Sequence, residues 1–224
     1  MLFATPASAI SSYVHSEPGH GHQNEDVVIA RPHPEDERVF VCSLADGQGG
    51  QPGGGEAARL AAERSVEVAL SHSVKTLQNT TVWYDIVGAA DEAGADHEDA
   101  GFTTLVSLCV TERSVCGASC GDSGALLVQS GGSVVLTQKQ RKNPPVGSGA
   151  AVPVAFSARL KLPWMLLVMS DGVWKFIGWD TIIELTARKR GEELIAALRH
   201  ASLQANGGKF WDDFSLILLQ QEEA

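Results

Sequence analysis

Acidic residues stand at four places where apolar runs begin or end. Asp46 closes the run Val39-Phe40-Val41-Cys42-Ser43-Leu44-Ala45 and leads through Gly47 into the glycine-rich stretch Gln48 to Gly55. Asp171 follows Leu166-Leu167-Val168-Met169-Ser170 and precedes Gly172. Asp212-Asp213 opens the run at Phe214, and Asn24-Glu25-Asp26 opens the one at Val27. Apolar runs rich in β-branched residues read as buried strands, so each carboxylate sits on a rigid element at the mouth of a loop. Such a cluster suits a hard divalent cation, because Mg2+ and Mn2+ take oxygen ligands octahedrally and commonly keep several waters. Asp46, Asp171 and Asp212 each offer one or two oxygens, and the Gly47 carbonyl another. Two ions sharing Asp46 would polarise a bridging water into a nucleophile and offset charge on a transferring phosphoryl group. No covalent intermediate is needed, in keeping with the lack of a G-x-S-x-G elbow or a C-x5-R phosphate loop.

The elements that must position these residues are legible in outline. Ser11 to His22 reads as strand and turn, and Val27–Arg31 and Val39–Ala45 as a hairpin around the polar turn Pro32 to Arg38. Glu56–Ser71 reads as a helix, with Ala57, Leu60, Ala61 and Val68 at helical spacing and Arg59, Glu63, Arg64 and Glu67 on a polar face. A second helix falls within Thr81–Ala95, weakened by Gly88 and Gly94. The period then changes to short strands at Thr103–Thr111, Ser114–Ser119, Ala125–Gln129 and Ser133–Thr137, with Gly131-Gly132 as a hairpin signal. Gln138–Val154 is Pro/Gly-rich and reads as a loop. Trp164–Ser170 is a strand, Thr181–Arg188 and Gly191–Gln204 are helical, and Ala205-Asn206-Gly207-Gly208 ends the second. Phe214–Leu219 is the closing strand. Strands come in consecutive groups and helices in pairs. That disfavours a doubly wound parallel sheet and favours antiparallel sheets covered by helices, an α+β fold in one domain over residues 1–224.

Bulk composition bounds the partners. The 224 residues carry 27 acidic and 17 basic side chains, a formal net charge of −10, which argues against nucleic acid or an anionic membrane surface as main partner. The most apolar stretch, Leu160 to Met169, is broken by Lys161 and Pro163 and falls short of the roughly 20 residues that span a bilayer. Met1 to Ile10 lacks the basic start of a secretory signal. Cys42, Cys109, Cys116 and Cys120 form no C-x-x-C pair, and read as buried apolar residues of a reducing compartment. The expected location is the cytoplasm. Gly53-Gly54-Gly55-Glu56-Ala57-Ala58 formally fits G-x-G-x-x-A, but it does not follow its strand directly, and no acidic residue ends a second strand about 20 residues on.

Taken in order, the motifs resemble the metal-dependent protein phosphatase family, the type 2C serine/threonine phosphatases, and among them a small bacterial-type member. The matching residues are Asn24-Glu25-Asp26, Ala45-Asp46-Gly47-Gln48-Gly49-Gly50, Gly54-Gly55-Glu56-Ala57-Ala58, Gly101-Phe102-Thr103-Thr104-Leu105, Gly121-Asp122-Ser123, Ser170-Asp171-Gly172-Val173-Trp174 and Asp212-Asp213-Phe214-Ser215. They span residues 20 to 219. The resemblance implies an αββα sandwich of two antiparallel β-sheets flanked by helices, with two Mn2+ or Mg2+ ions at one end. It implies Asp46 as bridging ligand, the Gly47 carbonyl on one ion, and Asp171 and Asp212 on the other. Glu25 and Asp26 would act partly through metal-bound waters, and Asp122 with Asp171 would hold a third, weaker ion. Asp26, Asp46 and Asp171 are the implied catalytic residues. The implied partner is a phosphorylated protein, a kinase or a kinase target.

The departures concern phosphate binding. The family often carries an arginine where this chain has Gly21, flanked by His20 and His22, which are candidates to replace it. Gln48 and Gly124 stand where relatives carry other residues. Leu136-Thr137 is not followed by Asp-His-Ser, and the flap is reduced to about Arg141–Ala155, where Arg141 and Lys142 could meet phosphosubstrates, although a basic loop tip is usually only solvated. Trp164, Trp174, Trp179 and Trp211 flank the motifs and read as packing. Two other functions fit the same residues: a catalytically weak phospho-sensor on the same fold, and a phosphohydrolase of small phosphorylated metabolites.

Overall fold

The computed structural model describes residues 9–140 and 142–223; Arg141 and most of Met1 to Ile10 lie outside the described residues. Two five-stranded sheets pack face to face. One runs in the order β1 (Ser11–Glu17), β10 (Phe214–Gln221), β9 (Trp164–Met169), β6 (Gly124–Gln129), β7 (Gly132–Val135). The other runs β2 (Asp26–His33), β3 (Asp36–Asp46), β4 (Leu105–Val110), β5 (Ser114–Cys120), β8 (Val154–Arg159). Every pairing is antiparallel.

Strand β9 shows why its sequence is an unbroken apolar run. Successive side chains point to opposite faces. Trp164, Leu166 and Val168 join Leu44, Val106, Leu108, Leu127 and Leu219 between the sheets. Met165, Leu167 and Met169 face the other way, onto Leu194, Leu198 and Ile182 of the outer helices. Both faces are covered, so no polar alternation appears. Each such leucine or valine contributes about 1.5–3 kcal/mol by leaving water.

Helices cover both outer faces. On the β3–β4 side lie α1 (Gly54–Ser71), the single turn α2 (Val74–Leu77) and α3 (Val82–Ala95). The α1 stripe Ala57, Ala58, Ala61, Ala62 and Ala69 is small, which lets the helix approach Val41, Ala45 and Leu105 closely. Within that layer Ser65 and Ser43 satisfy one another, Oγ to Oγ, at 3.0 Å. On the β9–β10 side lie α4 (Asp171–Ile177), α5 (Trp179–Thr186) and α6 (Gly191–Ala205). This is the αββα sandwich the motifs imply.

Three local features depart from the sequence reading. Strand β8 sits on a sheet edge with a half-exposed pattern, so Val154–Arg159 carries no continuous apolar signal. Helix α4 follows β9 after only Ser170 and has seven residues, too short to show a helical period. The β2–β3 turn is tighter than Pro32 to Arg38. His33 is buried, its Nδ1 accepts from the Glu35 N–H at 3.1 Å and its Nε2–H donates to the His72 carbonyl at 3.0 Å, which draws the polar residues into the strand ends. Trp164 is buried and Trp174 stacks on Trp179 with centroids 5.2 Å apart, both as packing; Trp211 is exposed. All four cysteines are buried and free.

Candidate metal centre

The acidic residues meet at one end of the sandwich. Asp26 begins β2 and Asp46 ends β3, and the two are paired in register. Asp171 starts α4 one residue after β9 ends, and Asp212 lies two residues before the start of β10, the strand beside β9. A cleft of about 320 Å3 is lined by Asp46, Gly47, Thr104, Asp122, Asp171 and Asp212, with Gln48, Phe102, Lys142 and Asn143 around it.

The Asp-Gly pairs have a steric reason. A Cβ on Gly47 would lie 2.4 Å from the Gly54 carbonyl oxygen and 2.8 Å from that of Glu25. A Cβ on Gly172 would lie 2.1 Å from the Asp213 carbonyl oxygen. Glycine therefore lets the first loop pack against Asn24-Glu25-Asp26, and the start of α4 against Asp212-Asp213. The segment Gly101–Thr104 then straps Asp46. Thr104 N–H and Thr103 Oγ1 donate to the Asp46 carbonyl at 2.9 and 2.8 Å, and Asp46 N–H donates to Thr104 Oγ1 at 3.1 Å.

Electrostatically the cluster is under-compensated. Asp26 is buried and its Oδ2 has no hydrogen-bond partner. Burial pushes the Asp26 carboxyl up to about 7; the Ser215 and Ser170 hydroxyls oppose the rise, while Asp213 and Asp212 add to it. Asp46 is held well above the carboxylate range by burial, then by the charges of Asp26, Asp171, Asp212 and Asp122. The Asp212 carboxyl is raised by its partial burial and by the like charge of Asp171. An orphaned buried oxygen amid mutually repelling carboxylates is what a divalent cation would satisfy, so the residues present fit such an ion. Among the described residues no three His, Cys, Asp or Glu side chains are gathered closely enough to enclose an ion by themselves. Completing the sphere with the Gly47 carbonyl and waters suits a Mg2+-like ion, which rarely takes an all-protein cage.

Several contacts around the cleft were not signalled by the sequence. Asp213 points away from the cleft: its buried carboxylate accepts from Gly19 N–H and Glu25 N–H, each at 2.7 Å, and so fixes the loop carrying Glu25 and Asp26. Lys175 Nζ donates to Asp171 Oδ2 and, at 3.0 Å, to Asp122 Oδ2; Lys142 Nζ reaches the same Asp122 oxygen at 2.8 Å. Burial alone would raise the Asp122 carboxyl, but these two ammonium groups hold it below the usual range. The loop between β7 and β8 is tied down by Asp91 of α3, which accepts from Gly147, Gly149 and Ala151 N–H at 2.7, 3.1 and 2.9 Å. Val146 on that loop bridges to Thr103, which bridges in turn to Gly47. For Lys175 the usable signal was its spacing four residues after Asp171.

Neither His20 nor His22 lines the cleft. His22 Nδ1 lies 3.0 Å from the Gln23 carbonyl and 3.5 Å from Asp213 Oδ1, and His20 Nε2 lies 3.3 Å from Lys209 Nζ. Glu25 and Asp26 are likewise set back from the cleft surface.

Residues 45–222 match the family model described as Stage II sporulation protein E. No curated protein matches by sequence. Solved structures with the same fold include the serine/threonine phosphatase Stp1 from Staphylococcus aureus, 17% identical, covering 96% of each chain at a TM-score of 0.78. The catalytic domain of the serine/threonine protein phosphatase PstP, solved with two manganese ions, is 20% identical over 96% of this chain and 99% of that one, TM-score 0.76. RsbX, solved with magnesium, is 16% identical over 99% and 100%, TM-score 0.72.

Proposed function

The chain belongs to the SpoIIE family, and from that premise we propose that it is a metal-dependent phosphatase of phosphoserine or phosphothreonine in proteins, its residues 1–224 acting as one catalytic domain. The observation that carries this is the orphaned Oδ2 of buried Asp26, in register with Asp46, beneath an open cleft lined by Asp46, Asp171 and Asp212. Asp46, the Gly47 carbonyl, Asp171 and Asp212 would hold two Mn2+ or Mg2+ ions, with Glu25 and Asp26 behind them. The metals borne by PstP and RsbX on the same fold support that choice. When bound, such ions supply Lewis-acid charge for the phosphoryl oxygens and lower the pKa of water.

The chain's own residues do the rest. Asp46 and Asp171 set the position of the charge, and the Gly101–Thr104 strap keeps Asp46 from moving as charge develops. Asp26, buried behind the proposed ligands and in register with Asp46, would act with Glu25 through metal-bound waters. Lys142 is the sole cation among the described residues lining the cleft, so it is the first candidate for the substrate phosphate, with His20 and His22 at a remove. Loss of phosphopeptide turnover in EDTA and its return with Mn2+ is the test. An Asp171→Asn variant with full Mn2+-dependent turnover would overturn the site.

Gly21, standing where relatives often carry an arginine, together with the short flap, motivates one second reading, a phospho-sensor on the same fold. It predicts phosphopeptide binding with no turnover in Mn2+. Turnover of small phosphorylated metabolites in preference to phosphopeptides would point to a small-molecule phosphohydrolase instead. A cytoplasmic setting and a phosphorylated kinase or kinase target as partner belong to the same proposal. No described helix is long and apolar enough to cross a membrane.

A further inference from the structure

We infer that the Asp122–Asp171 pair, implied by resemblance to hold a third ion, is instead served by two ammonium groups of this chain. Lys175 is one turn beyond Asp171 on α4, and its Nζ bridges Asp171 Oδ2 and Asp122 Oδ2. Lys142, from the β7–β8 loop, meets the same Asp122 oxygen at 2.8 Å. The two carboxylates are largely shielded, at 19% and 15% exposure, so they need compensation where they stand.

Charge and geometry both oppose an ion there. Two ammonium groups against two carboxylates already give the balance that a divalent cation would give. An incoming ion would meet two ammonium groups beside Asp122, and to take Oδ2 it would have to displace both donors. The arrangement is also built in. The Trp174 indole N–H donates to the Asp122 carbonyl at 3.0 Å, which fixes the Asp122 turn against α4. Lys175 Nζ lies 5.8 Å from the Trp174 ring centroid, where a cation is attracted to the aromatic face. The third-ion position therefore does not fit a metal in this chain, and two ions, not three, complete the site. This rests on the two-metal reading above.

Mn2+ stoichiometry, measured by equilibrium dialysis with elemental analysis and by calorimetry, tests it without reference to turnover. The wild type is expected to take two ions, Lys175→Arg also two, and the Lys142→Gln/Lys175→Gln double variant three. Asp122→Asn in the double variant should return the count to two. Both lysines are exposed, so folding is expected to survive, and circular dichroism checks it. A wild type that takes three ions overturns the inference while leaving the two-metal reading standing. A double variant that stays at two overturns it as well. A wild type that takes none removes the two-metal reading and the inference together.

Discussion

Asp26 and Asp46 stand directly opposite one another at the end of the β2–β3 hairpin, two carboxylates on adjacent strands, and among the described residues no Lys, Arg or His side chain forms an ion pair with either. Such a pairing costs folding energy unless something bound offsets it. Asp26→Asn removes one of the repelling charges while keeping the side chain's size. The metal-free variant should therefore be more stable than the metal-free wild type, by about 1–3 kcal/mol. Its Mn2+ affinity should fall at least about tenfold, a loss of roughly 1.4 kcal/mol. Thermal melts in EDTA and titration with Mn2+ separate the two effects. A variant that is less stable without metal and binds it unchanged would show that the pairing is only structural.

Asp213 differs from its neighbour Asp212 in kind. Asp212 lines the cleft, whereas Asp213 is 5% exposed and accepts with one oxygen from Gly19 N–H and with the other from Glu25 N–H. Asp213→Ala strands both donors, at a cost of about 2–4 kcal/mol in urea unfolding. It also frees the loop that carries Glu25 and Asp26, so Mn2+ affinity should fall although Asp213 is not a proposed ligand. Asp213→Asn, with one acceptor oxygen instead of two, should lie between. Equal metal affinity in all three proteins would sink the positioning role.

The contrast between these adjacent aspartates shows what the sequence could carry. Asp46 and Asp171 were legible because each ends a run that is apolar on both faces, and a glycine follows where backbones must touch, at Gly47 and Gly172. The sheets were legible for the same reason, since strands such as β9 are covered on both sides. What failed to show depends on contacts distant in sequence. Asp122 and Lys175 are 53 residues apart and meet only because α4 packs beside the turn before β6. Nothing in Asp212-Asp213 says which side chain faces the cleft until the loop from Gly19 to Glu25 is placed. Strand β8 was hidden because an edge strand needs only half an apolar pattern.

Asp91 on α3 acts on the cleft at a distance. It is buried and spends its oxygens on three backbone N–H groups of residues 147–151, the descending arm of the loop that carries Lys142 and Asn143 into the cleft. Asp91→Ala should destabilise the protein by about 2–4 kcal/mol. With the loop released, KM for a phosphopeptide should rise about three- to tenfold while kcat stays within about twofold, because the loop reaches the proposed ligand Gly47 only indirectly, through Val146 and Thr103. Asp91→Asn should recover part of the KM. A fall in kcat at constant KM would mean instead that the loop supports the chemistry and not substrate placement.

At the edge of the β1–β10 sheet, Arg199 of α6 grips Glu17 of β1 with both ends of its fork, Nε to Oε1 at 2.7 Å and Nη2 to Oε2 at 2.9 Å. Burial alone would raise the Glu17 carboxyl, but the Arg199 hydrogen bonds, with His15 beside them, outweigh it and hold the group below its ordinary value of 4.5. A carboxylate whose folded pKa is lowered stabilises the fold at pH above the unfolded value, and that contribution is lost as pH falls through the folded pKa. The pair is part exposed, so after solvent screening it contributes about 0.5–1 kcal/mol. Urea unfolding of the wild type should therefore lose that much more stability between pH 6 and about pH 3 than unfolding of Glu17→Gln does. Comparing the variant pair at each pH cancels the titration of the acidic cluster, which both proteins share. Parallel curves would mean that the bidentate contact contributes nothing to holding α6 on the sheet.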